Sequence, residues 1–128
     1  LIGKMIVERL EAVAAVTNLV SSRIYPVILP QTPTYPAIVY EVVTTVRGQS
    51  HGGPHNLVQP RVQIDIFAET YEAAWDIEAA VRGALDGFSG ALSGKKVWNV
   101  FHEDSNDLYA QDIKKSRVIS DYTVAYRD

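Results

Sequence analysis

Few side chains in this sequence are of a type and spacing that could do chemistry. Three histidines are present, His51, His55 and His102. His51 and His55 stand four apart but flank Gly52-Gly53-Pro54, a turn-forming run. Two imidazoles on a loop, with neither a third ligand nor an outer shell to orient them, do not make a metal centre. Glu103, Asp104 and Asp107 form an acidic cluster, yet it lacks the alternating oxygen ligands, central glycine and terminal glutamate of a calcium loop. The cluster reads as a charged turn. There is no cysteine, which excludes disulfide frameworks, thiolate metal clusters and thiol catalysis. No glycine-rich segment runs into Lys-Ser/Thr, and no serine sits in a nucleophile elbow. Neither a catalytic residue, a metal site nor a cofactor is expected.

The elements that would position these residues follow from hydrophobic periodicity. Residues 2–17 carry Ile2, Met5, Ile6, Leu10, Val13 and Val16 at helical spacing, with Lys4, Glu8 and Glu11 opposite. Residues 23–29 are apolar and β-branched, but Pro26 and Pro30 confine them to an edge strand. Residues 37–47 and 57–68 read as two long strands joined by a glycine-rich loop over 48–56. Thr70 is placed to cap a second helix, with Ala74, Ile77, Val81, Ala84 and Phe88 along its apolar stripe and Gly87 just past its end. Gly83, inside that helix, suggests a close packing contact. Residues 89–96 read as a Gly/Ser loop, 97–103 as a strand, 109–115 as loop or a short edge pairing, and 117–126 as a closing strand.

The order helix-strand-strand-strand-helix-strand-strand predicts an α+β fold. It has a mostly antiparallel sheet of four to five strands, with two helices on one face, as a single domain over residues 1–128. A chain of 128 residues is long enough for one core. The net charge of −3 argues against a basic nucleic-acid-binding module or a basic membrane-surface segment. No apolar run approaches the ~18 residues that span a bilayer, and Leu1-Ile2-Gly3-Lys4-Met5 does not read as a secretory leader.

Both faces of the predicted sheet carry apolar residues. Val39, Val43, Phe67 and Ile119 exceed what one helix layer hides, so another subunit is expected to cover them. The segment from Arg47 to Asn56, with His51, Gly52, Gly53 and His55, is expected to be mobile alone and ordered at a partner.

Three stretches carry a family resemblance: Arg23-Ile24-Tyr25-Pro26 with Leu29-Pro30-Gln31; Tyr35-Pro36-Ala37-Ile38-Val39-Tyr40; and Arg61-Val62-Gln63-Ile64-Asp65-Ile66-Phe67-Ala68-Glu69-Thr70-Tyr71 leading into Val81-Arg82-Gly83-Ala84-Leu85. Together with the closing Asp121-Tyr122-Thr123-Val124-Ala125-Tyr126, this ordered set resembles the tail completion, or tail terminator, proteins of long-tailed bacteriophages. The resemblance implies a non-enzymatic virion protein without a cofactor. It would form a homo-oligomeric, hexameric ring at the head–tail junction, assembled in the host cytoplasm. Its partners would be the tail tube protein and the head completion or connector protein, with DNA passing through the lumen unbound and no membrane contact. Asp65, Glu69 and the Glu103 to Asp107 turn are candidate contributors to an acidic lumen, and Glu103, Asp104 and Asp107 are candidate subunit or partner interface residues. Another connector or tube component, or a small-ligand-binding α+β domain, are the alternatives.

Overall fold

The computed structural model describes residues 2–47 and 57–127. Among these residues the chain forms three helices, α1 (Ile2–Glu11), α2 (Ala14–Val20) and α3 (Tyr71–Leu85). Six strands accompany them: β1 (Ile24–Pro26), β2 (Ala37–Arg47), β3 (Leu57–Ala68), β4 (Gly90–Leu92), β5 (Lys95–Ala110) and β6 (Lys115–Arg127). They make one sheet in the order β1-β2-β3-β6-β5-β4. The α+β class is as expected, but the sheet has six strands and is mixed, because β1 runs parallel to β2. All other pairings are antiparallel.

The predicted first helix is two. The apolar spacing continues across the break, but Val13 takes extended backbone angles and caps α2 with no side-chain bond. The extra strand, β4, is too short for periodicity to reveal. Its Gly90-Ala91-Leu92 pairs with Lys95-Lys96-Val97 through a tight turn at Ser93-Gly94, both with positive φ.

Strand β6 organises the molecule. Val118, Ser120, Tyr122, Val124 and Tyr126 are buried, and the residues between them are half-buried. The buried set joins Val58, Val62, Ile64 and Ile66 of β3 and Val97 and Val100 of β5 in one core. The helices close that core with Met5, Ile6 and Leu10 from α1, Val16 and Val20 from α2, and Ala74, Ile77, Val81, Ala84 and Leu85 from α3.

Helix α3 starts where Thr70 Oγ1 accepts from the Ala73 amide at 3.1 Å, the predicted cap. It ends at Asp86, with Gly87 at φ +76° where only glycine is unstrained. Asp86 and Gly87 then lock onto β5: the Gly87 amide donates to the Val100 carbonyl (2.7 Å), and Asp86 Oδ1 accepts from the His102 amide (2.9 Å). Gly83 has no packing role, since a Cβ there would meet nothing within 4 Å.

Helix α1 bridges the two ends of the curled sheet. Its Gly3 lies against the Tyr40 ring of β2, where a Cβ would come within 2.9 Å. Its Glu8 carboxylate accepts from both the amide (2.7 Å) and the hydroxyl (2.9 Å) of Ser93, at the β4–β5 turn. Arg9 Nε donates to the Ala84 carbonyl at 2.7 Å, and its guanidinium stacks 4.3 Å from the Phe88 ring centre.

Candidate interface surfaces

The densest polar chemistry lies under α3. Glu78 sits on the buried stripe of that helix and is only 1% exposed. Its carboxylate accepts from Arg82 (3.2 Å) and from Ser105 Oγ of β5 (2.8 Å). Ser105 Oγ also lies 2.7 Å from His102 Nε2 and 2.8 Å from Ser120 Oγ. A serine, a histidine and a glutamate in contact invite comparison with a nucleophilic triad. The geometry forbids it. Glu78 Oε2 accepts from Ser105 itself at 2.8 Å and lies 3.7 Å from His102 Nε2, the same ring nitrogen that meets Ser105. A catalytic base would have to accept the serine proton, with its carboxylate on the other ring nitrogen. The cluster instead satisfies a buried carboxylate and pins α3 to β5 and β6. Burial and the charge of Glu78 together push the Tyr122 phenol far above its ordinary value. Sequence reasoning missed this network; its one readable sign was a glutamate on the apolar stripe of α3.

Among the described residues the opposite face of the sheet has no helix. Its centre is ionic: Arg117 donates to Asp65 at 2.7 Å, Gln63 donates to the other Asp65 oxygen at 3.0 Å, and the Arg117 guanidinium lies 5.4 Å from the Phe67 ring centre. Val39 is buried, because the chain covers this end itself. The turn after β1, with Val27, Ile28 and Leu29, and the β5–β6 turn, with Asp112 and Ile113, close a shallow groove over Val39, Asp65 and Phe67. Val27 and Ile28 remain strongly exposed. Val27 holds φ +66°, a strained conformation for a β-branched residue, with its amide on the Tyr40 carbonyl.

Val43 lies 51% exposed at a β-bulge in β2. Glu103 and Asp104 were expected in a turn but lie within β5, where a second bulge sets them against Asp121. Strong pairing with β6 overrides the poor strand propensity of Glu-Asp-Ser-Asn-Asp. Partial burial and the adjacent Asp104 push the Asp121 carboxyl up, against the pull of Arg61. Glu103 accepts from Thr123 Oγ1 at 2.9 Å. Asp107 leaves this group: it pairs with Val118, on the helix side, and accepts from Tyr71, whose phenol it pushes up. The three acids therefore split between two faces.

Arg47 closes β2, while His51, Gly52, Gly53 and His55, with the expected ordering of their loop, lie outside the described residues. Among the described residues no group of three His, Asp or Glu side chains could hold a metal ion, and no helix is long and apolar enough to cross a membrane.

A comparison with curated proteins finds no match. Among solved structures, a chain in the virion of a native gene transfer agent particle superimposes with a TM-score of 0.82. The match covers 98% of this chain and 94% of that one at 16% identity, a likeness of fold. The sequence model of the family described as tail completion protein gp17 matches residues 4–127. Tail completion proteins are structural components of virions and not enzymes, in keeping with the geometry around Ser105. The match takes in every described residue but Ile2 and Gly3, and this chain belongs to the tail completion protein gp17 family.

Proposed function

We propose that the protein acts as a single domain that assembles into a hexameric ring, closes the end of the tail tube and offers the surface to which the head connector docks. The observation that carries this reading is the sheet face without helices, with Val43 exposed and acids gathered beside it. A protomer that worked alone would gain nothing from leaving such a face bare. The acidic groups Glu103, Asp104 and Asp121 suit a lumen that DNA crosses without being held, since phosphate affinity comes from basic side chains. In this reading the ring sits at the head–tail junction, after assembly in the host cytoplasm.

Light scattering on the eluting protein tests it: the expected mass is six times the 14.2 kDa protomer. Val43→Asp should leave the circular dichroism spectrum unchanged and abolish that species. A ring that forms normally with Val43→Asp places the interface elsewhere.

A further inference from the structure

The sheet ends in two incompletely paired edges, and we infer that they pair with each other between copies, the 41–47 edge of β2 in one copy adding antiparallel to the 104–110 edge of β5 in the next. This rests on the ring reading above and names the contact that would build the ring. On one side of the sheet, β1 covers only Ile38, Val39 and Tyr40 of β2. On the other, β4 covers only Lys95, Lys96 and Val97 of β5, and Asp86 and Gly87 take up Val100 and His102. Among the described residues the rest of each strand has no neighbour on its outer side, and the two free stretches are equally long. An open edge of this kind is a template for another strand.

The hydrogen-bonding parity fits. Main-chain groups along a strand point alternately to one neighbour and the other. Val100 and His102 already point outward, so the β6 register makes Ser105, Asp107 and Tyr109 the outward residues of β5. In β2 the outward residues are Ile38 and Tyr40, hence Val42 and, past the bulge, Thr45 and Arg47. Three outward residues meet three: Val42 with Tyr109, Thr45 with Asp107, Arg47 with Ser105. Side-chain faces agree too. Val42 and Tyr109 both lie on the helix side, by their pairing with Val62 and Ser116, and Val43 and Leu108, each 51% exposed, meet on the other.

Charge selects the direction and the partner. Antiparallel addition brings Glu41 to the end of β5 that carries Lys114. Parallel addition would set Glu41 against Asp104. Because the two edges are different surfaces, each copy gives one and receives one, which is the head-to-tail relation that closes into rings.

The chain has no cysteine, so Val43→Cys with Leu108→Cys introduces the only two thiols. Mild oxidation of the assembled double variant should give a ladder of covalent oligomers beyond the dimer, and neither single variant should cross-link. Tyr109→Pro removes one outward amide at an edge, where proline is tolerated within the protomer. It should keep the circular dichroism spectrum and weaken self-association by roughly tenfold or more. A wild-type ring seen by light scattering but without the ladder, or unaffected by Tyr109→Pro, overturns the edge pairing and leaves the ring reading standing. A wild-type chain that stays monomeric at every concentration overturns both.

Discussion

Ser120 and Asp121 are neighbours in β6 and serve opposite faces of the sheet. Ser120 is fully buried, and its hydroxyl joins Ser105, which in turn satisfies Glu78. Asp121 faces out, with Asp104 across the ladder, and partial burial together with that neighbouring carboxylate raises its own carboxyl. On the helix side the Glu78 carboxylate is met by Ser105 and Arg82 within the protomer, although the Tyr122 hydroxyl and the Trp75 indole N–H stay buried without a partner. On the other side like is set beside like, and apolar Val43 stands exposed. That arrangement adds little to the stability of one protomer and leaves groups free for assembly.

This contrast can be broken or sharpened by substitution. Ile66→Ala, in the centre of the helix-side core, should cost about 2–5 kcal/mol in urea unfolding and take assembly down with the fold. Glu78→Gln should cost about 1–3 kcal/mol, because the neutral amide weakens two bonds to a buried group. Asp104→Asn, its counterpart on the open face, should stay within about 0.5 kcal/mol of wild type in the same titration. Equal losses for the two would end the distinction between the faces. Gly83→Ala should raise the unfolding midpoint by a gain of about 1 kcal/mol, since a helix interior prefers alanine and the space is empty.

The smallest effect concerns pH. The raised Asp121 carboxyl means that the folded chain keeps this proton to higher pH than the unfolded chain does. Its penalty is therefore absent in acid and appears as pH rises through its titration. Asp121→Asn should stabilise the protein above that range and make no difference below it, as thermal melts across pH would record. A gain that persists in acid would show that charge is not its cause.

What the sequence disclosed tracks local physics. The alternation of β6 and the Thr70 cap were legible because a single strand or a single turn carries the whole signal. The break at Val13 was not, since the apolar spacing runs on and the cap uses no side chain. β4 and the acidic half of β5 were hidden for a related reason: their strand character is imposed by partners, Lys95-Lys96-Val97 in one case and β6 in the other. The burial of Val39 depends on a turn more than ten residues upstream curling over it. Of the candidate interface, Val43 was readable as an apolar residue on a crowded strand. The free edges were not, because an unpaired amide leaves no mark on residue type.

The bridge made by α1 bears on the order in which the molecule is born. Met5 and Leu10 leave the ribosome well before the groups that fasten their helix, Ala84 and Ser93, which follow 75 and 85 positions after Arg9 and Glu8. Contacts of such long sequence separation are slow to form and leave apolar surface uncovered in the meantime. Until those residues emerge the nascent chain carries an amphipathic helix without its fastening groups, the segment on which a holding chaperone would act. Closure of the β4–β5 turn onto Glu8 then seals α1 to a part of the chain made much later.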